Sequence, residues 1–360
     1  MSSLSEPDRI NNVGCIEESV VGNDSIDLRG WVGSTGPESI DRLSVAFDGE
    51  AQPDAQIQID LPSPDVEAVH PRLIGCGRAR FTIRLPGVDT SPADVEDRLI
   101  VVTPWAGDVP GRPLCHVVAP TVPDPPQRYL DLVGGGMNIG CELLAHLIDL
   151  AELRPNESVL DVGCGTGRVA YALRCYLDEG TRYEGFDIVR ELVDWADSEI
   201  ASRTPGFRFT HADVTNEFYN PTGPISPAEF RFPYSDGEFD VVFLTSVFTH
   251  MRQPEIERYL DEIWRVLKPG GRCLASCFLL DEESGPSQAA GKGAFKLFHP
   301  VGGGWSSSVD VPERAIGFES DDFLRWASLR GFKLRKAYPG WWSGRFPYLS
   351  YQDLLILDRP

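Results

Sequence analysis

Basic clusters, paired cysteines and long apolar runs are all missing from this chain of 360 residues. Basic residues are grouped only in short runs such as Arg78-Ala79-Arg80, and Lys+Arg 33 against Asp+Glu 54 leaves a net charge of −21. A polyanionic partner needs local Lys/Arg density to release counterions, so nucleic acid is not expected as a partner. Neutral or cationic ligands fit better. Cys15, Cys76, Cys115, Cys141, Cys164, Cys175, Cys273 and Cys277 include no Cys-x-x-Cys pair and no ligand spacing with histidine. That argues against a metal site and a disulfide framework, and reduced, mostly buried thiols are expected. No apolar run reaches the roughly 18 residues of a membrane span. The polar start Met1-Ser2-Ser3-Leu4-Ser5-Glu6-Pro7 has neither the basic nor the apolar region of a signal peptide, so membrane insertion is not expected and a cytoplasmic location is.

What is present is an ordinary globular composition, 42% apolar and 24% charged, in a chain long enough for two domains. Residues 1–118 show short alternating runs between turn residues. Ala79-Arg80-Phe81-Thr82-Ile83-Arg84-Leu85 places Ala, Phe, Ile and Leu on one face and Arg, Thr and Arg on the other, the period of a strand with one solvated face. Leu43, Val45 and Phe47 repeat it, Asp48-Gly49 supplies a hairpin turn, and Ile57, Ile59 and Leu61 mark the next strand. A small all-β, sandwich-like module of six or seven strands is expected. Residues 119–127 hold Pro120, Pro123, Pro125 and Pro126 and read as a semi-rigid linker.

Residues 128–360 then alternate between helix and strand signals, which predicts helices covering both faces of a mostly parallel sheet. Helices are expected at 141–153, 167–177, 191–202, 255–267 and 320–329. Strands are expected at 158–162, 183–188, 207–210, 239–245, 272–279, 332–337 and 352–357. The stretch 281–312 has little patterning and reads either as a lid over a site or as disorder.

Chemistry concentrates in Val159-Leu160-Asp161-Val162-Gly163-Cys164-Gly165-Thr166-Gly167-Arg168, a strand, a glycine-rich turn and a helix start. This is the geometry of a nucleotide-cofactor loop. A dinucleotide fingerprint requires glycine or alanine where this chain has Arg168, so that helix and strand pack closely. An aspartate directly before the turn also suits a cofactor bearing an ammonium group rather than a pyrophosphate. At these residues the sequence resembles the class I S-adenosylmethionine-dependent methyltransferases, whose motif runs Asp/Glu-x-Gly-x-Gly-x-Gly. The resemblance spans roughly residues 129–360 and implies a Rossmann-like, seven-stranded fold with S-adenosyl-L-methionine as cofactor. It implies cofactor contacts from Asp161, Gly163, Cys164, Gly165 and Gly167. It also implies Asp187 and Ile188 at the ribose, and Asp213 and Val214 at the adenine. Residues 1–118, with Arg29-Gly30-Trp31-Val32, resemble modules appended to bacterial glycan-modifying proteins.

Methyl transfer to a hydroxyl needs alignment and a base. His250, after the fourth strand, is the leading candidate base; a cap or a space-filling role is the other reading of that position. His211, His299 and Tyr219 are further candidates for substrate contact. Trp341 and Trp342 offer rings to stack on a sugar or an aromatic acceptor, with at least one of the two expected in the core. The predicted function is O-methylation of a hydroxyl on a saccharide or glycosylated small molecule. The alternatives are a glycan-binding protein with an inactive Rossmann-like domain and an NAD-dependent oxidoreductase.

Overall fold

The computed structural model describes residues 9–360, and the polar start at residues 1–7, on which the signal-peptide argument rests, lies outside the described residues. Two compact units divide the chain. One holds the chain up to Asp124 together with Gly135–Asp149 and Arg168–Tyr176; the other holds Pro125–Gly134, Leu150–Gly167 and Leu177–Pro360.

The first unit opens with β1 (Asn12–Val21), β2 (Ser25–Ser34), β3 (Arg42–Phe47), β4 (Glu50–Ala51) and β5 (Gln56–Leu61), then a short helix α1 (Pro64–Val69). It continues through β6 (Arg80–Pro86), α2 (Pro92–Val95), β7 (Arg98–Ala106), β8 (Val109–Pro110) and β9 (Leu114–Val118). One sheet has the order β1-β2-β6-β5 and the other β4-β3-β7-β8, with β9 also on β7. Alternation explains the core between them: Ile26, Leu28, Phe81, Ile83 and Leu85 meet Leu43, Val45, Ile100 and Val102. Asp48 at φ 52° and Gly49 at φ 81° form the two-residue turn between Phe47 and Glu50. The hairpin partner is the two-residue β4, and the Ile57-Ile59-Leu61 strand crosses to the other sheet.

After β9 come α3 (Gln127–Val133), which belongs to the second unit, and α4 (Asn138–Asp149), which packs on β9 in the first. Asp149 accepts from Arg9 at 2.7 Å and from Arg112. Helix α4 ends four residues before the predicted Leu153, and the chain turns at Glu152, whose φ is 52°. Next are β10 (Val159–Val162) and α5 (Arg168–Leu173). Helix α5 is also shorter than predicted: Cys175 and Tyr176 donate to residues three back rather than four, a tightened last turn.

The second unit continues with β11 (Tyr183–Asp187), α6 (Arg190–Glu199), β12 (Phe207–His211), β13 (Phe239–Leu244), α7 (Gln253–Val266) and β14 (Leu267–Cys277). With β19 (Lys333–Tyr338) and β20 (Asp353–Asp358) they make a sheet of order β12-β11-β10-β13-β14-β20-β19, in which β20 runs against both neighbours. Strand order reverses between β10 and β13, so the carboxyl ends of β10 to β14 frame the crevice where such sheets bind ligands. Ile256, Tyr259, Leu260 and Ile263 of α7 pack with Phe323 and Trp326 of α9 (Ser320–Leu329) and with Leu355 and Leu357 of the sheet.

The stretch 281–312 is structured, which corrects the disorder alternative. It carries α8 (Ser284–Ala289), β16 (His299–Val301) and β17 (Gly304–Ser306); these two strands join β15 (Leu279–Leu280) and β18 (Ile316–Glu319) in a sheet of order β15-β18-β17-β16. Its small core of Phe278, Leu280, Leu297 and Trp342 is drawn from distant segments, so no local periodicity announces it. Among the described residues no helix is long and apolar enough to cross a membrane, and no group of three His, Cys, Asp or Glu is placed to hold a metal ion.

Candidate active site

The loop after β10 needs its glycines. Gly163, Gly165 and Gly167 have φ of 76°, 53° and 71°, the left-handed region that L-residues adopt at a cost. Space is equally restricted: a Cβ on Gly163 would overlap Val247 Cγ2, one on Gly165 would lie 3.2 Å from Val133 Cγ1, and one on Gly167 2.8 Å from Ile200 Cδ1. The N–H groups of Gly163 and Cys164 both donate to the Phe186 carbonyl, at 2.8 and 3.0 Å, which holds the turn on β11. Cys164 is buried, with burial pushing its thiol well above the usual range, so its contribution is backbone and shape. Thr166 is 1% exposed, and its Oγ1 has no hydrogen-bond partner among the described residues. Spacing alone did not single out Thr166; its orphaned hydroxyl does.

Three aspartates surround this loop. Asp161 is buried and accepts from the Tyr183 hydroxyl at 2.8 Å. Asp187, at the end of β11, accepts the Gly165 N–H at 2.8 Å through Oδ2 and the Val189 N–H at 2.9 Å through Oδ1. Ile188 is a third backbone donor to this carboxylate, whose roughly four lone-pair sites leave one for a ligand hydroxyl. Burial raises its carboxyl pKa, while the backbone donors oppose that rise. Asp213 is exposed beyond β12 and accepts from Asn220 Nδ2 at 3.0 Å. Beside them lie Ile188, half-buried, and Val214, buried. Asp240 sits at the opposite end of its strand, bonded to Ser158 and paired with Lys268 at 2.7 Å, a structural role.

Beyond β13 the chain makes a single 3-10 turn, Phe248–His250. The Nδ1–H of His250 donates to the Glu313 carbonyl at 2.8 Å, which leaves Nε2 as the acceptor nitrogen, facing the Tyr219 hydroxyl at 3.4 Å. Burial lowers the His250 pKa below the ordinary 6.5, so the ring is neutral at pH 7. The buried Glu313 carboxylate accepts the Glu217 N–H at 2.6 Å and Arg252 Nε at 3.3 Å, joining three loops around the histidine. Glu313 lies 63 residues from His250, and nothing in the sequence links them. His211 is a clip, bonded to the Ile188 carbonyl at 3.2 Å and to Arg190 at 3.0 Å. His299 is exposed on β16, and Trp342 is fully buried while Trp341 is half-buried.

The left-handed glycine turn at the carboxyl end of β10 and the unpartnered Thr166 hydroxyl offer a backbone turn and a polar contact for a cofactor, and the acids around the loop suit one with hydroxyl and amino groups. Residues 159–271 match a family model described as Methyltransferase domain. Over these residues the class is a methyltransferase domain, with S-adenosyl-L-methionine as its cofactor. The chain is 28% identical over 138 residues to "Phosphoethanolamine N-methyltransferase" of Triticum aestivum, covering 38% of this chain and 23% of that protein. It is 27% identical over 189 residues to "Demethylmenaquinone methyltransferase" of Deinococcus radiodurans, covering 49% of this chain and 68% of that one. Among solved structures, the PH0226 protein of Pyrococcus horikoshii OT3 aligns over 61% of this chain and 88% of its own at 18% identity, with a TM-score of 0.44.

Proposed function

We propose that the whole chain O-methylates a hydroxyl of a small molecule, with a saccharide or glycosylated metabolite as the acceptor class. S-adenosyl-L-methionine supplies the methyl group on a sulfonium. In this reading Gly163, Cys164, Gly165 and Gly167 cradle the cofactor, Asp161 and Thr166 offer polar contacts, Asp187 and Ile188 meet the ribose, and Asp213 and Val214 the adenine. The observation that carries O-transfer is the His250 ring. A carbonyl at Nδ1 fixes its tautomer and burial keeps it unprotonated, so Nε2, which faces the Tyr219 hydroxyl at 3.4 Å, is the nitrogen able to accept a hydroxyl proton.

The saccharide class is supported by the first unit. The outer face of β1-β2-β6-β5 forms an open cavity of about 570 Å³ lined by Glu18, Asp27, Arg29, Gln56, Gln58 and Arg84, among others. Its charges pair off, Arg84 with Asp27 at 3.1 Å and Arg29 with Glu18 at 3.9 Å. A neutral face rich in donors and acceptors suits an uncharged polyol. All eight cysteines are unpaired, which fits a reducing compartment such as the cytoplasm. The test is transfer of a labelled methyl group to a panel of methyl glycosides, phenols and amines. Glycosides are expected to be methylated; label on phenols or amines alone overturns the saccharide class.

A further inference from the structure

We propose that Ser246 and Gln352 form a subsite that binds an oxygen of the acceptor beside the cofactor loop, an assignment that rests on methyl transfer as the activity. Ser246 follows β13, Ser276 lies near the carboxyl end of β14, and Gln352 directly precedes β20, which starts opposite that end. Their hydrogen bonds close a ring. The Ser246 N–H donates to Ser276 Oγ at 2.8 Å, the Ser276 hydroxyl to Gln352 Oε1 at 2.5 Å, and Gln352 Nε2 to Ser246 Oγ at 2.9 Å. The ring uses the only hydroxyl proton of Ser276. It leaves over the Ser246 hydroxyl proton and the second Nε2 proton, two donors on half-buried side chains at the ligand edge of the sheet.

Three further observations give this pair a binding rather than a packing role. Ser246 has φ 61°, a left-handed conformation that a serine keeps only where its surroundings impose it, and such residues cluster at ligand sites. The next residue, Val247, fills the space that a Cβ on Gly163 would need, so the pair stands one residue from the cofactor loop. Gln352 also has a rigid base. Asp353 accepts the N–H groups of Gly340 and Leu279 and the Trp342 indole N–H, at 2.7, 2.7 and 2.8 Å, and pairs with Arg345. No member of the ring is ionisable. Two spare donors suit a hydroxyl, carbonyl or phenolate oxygen, whereas a protonated amine would meet no carboxylate in the ring.

The test uses the full chain loaded with S-adenosyl-L-homocysteine, with methyl β-D-glucopyranoside and catechol as oxygen probes and phosphoethanolamine as the amine probe. Ser246→Gly and Gln352→Leu should each weaken binding of the oxygen probe that binds best at least tenfold and raise its KM alike. Affinity for S-adenosyl-L-homocysteine should stay within twofold. Ser246→Gly should not lower the melting temperature, because glycine accepts φ 61° freely; a purely structural serine would show lost stability with binding and KM unchanged. Unaltered probe binding and KM in both variants, preference for phosphoethanolamine, or no oxygen probe bound at all would each overturn the subsite. If the wild-type chain fails to bind S-adenosyl-L-homocysteine, the methyltransferase reading falls, and the subsite with it.

Discussion

Substituting Gly163 by alanine tests the glycine loop through two separable costs. Its φ of 76° costs an L-residue roughly 1–2 kcal/mol. Its Cβ would also overlap Val247 Cγ2, and overpacking of that kind costs about 1–3 kcal/mol. Together these come to about 2–5 kcal/mol. At roughly 2–4 °C per kcal/mol for a domain of this size, the melting temperature should fall on the order of 4–20 °C. Affinity for S-adenosyl-L-homocysteine should fall too, because the loop N–H groups are displaced. Val247→Ala removes the overlapping methyl groups and leaves the backbone cost in place. In a double-mutant cycle read by urea unfolding, Gly163→Ala should therefore cost about 1–3 kcal/mol less in the Val247→Ala background. Strict additivity would refute the packing of Val247 on the loop. A Gly163→Ala variant that melts and binds like the wild type would refute the left-handed turn itself.

Asp187→Ala should weaken S-adenosyl-L-homocysteine about 10–100-fold by calorimetry, since a charged hydrogen-bond acceptor contributes about 1.5–3 kcal/mol; an unchanged affinity would remove Asp187 from the site. His250→Gln should lower turnover about 100- to 10,000-fold with little effect on S-adenosyl-L-homocysteine affinity, and full activity would dismiss it as the base. Because burial lowers the His250 pKa below 6.5, the acid limb of the wild-type pH–rate profile should lie below that value. The same shift has a stability consequence. The unfolded chain binds this proton more readily, so the stability from a neutral His250 is full above pH 6.5 and is lost as pH falls through the lower folded pKa. Asp353→Asn leaves the buried Arg345 without its full counter-charge and should cost roughly 3–5 kcal/mol, a melting shift on the order of 6–20 °C. A shift under 2 °C by calorimetry would show that the pair is not buried as described.

Local rules made part of this protein legible from its sequence. Period-2 alternation around Phe81 and Leu43 marked strands of the sandwich because each strand buries one face, and Asp48-Gly49 marked a turn because few residue pairs accept two positive φ values. Asp161 to Gly167 marked the loop because its three positive-φ positions demand glycine, and the family resemblance pointed to Asp187 at the end of the second strand. Tertiary structure decided the rest. The sheet of β15 to β18 has a core assembled from Phe278, Leu297 and Trp342, which no short window contains. The tautomer of His250 depends on a carbonyl 63 residues away, and the ring of Ser246, Ser276 and Gln352 spans 106 residues. Hydrogen bonds across such distances form only once the strands have set the ends of the sheet side by side, so sequence spacing carries no trace of them.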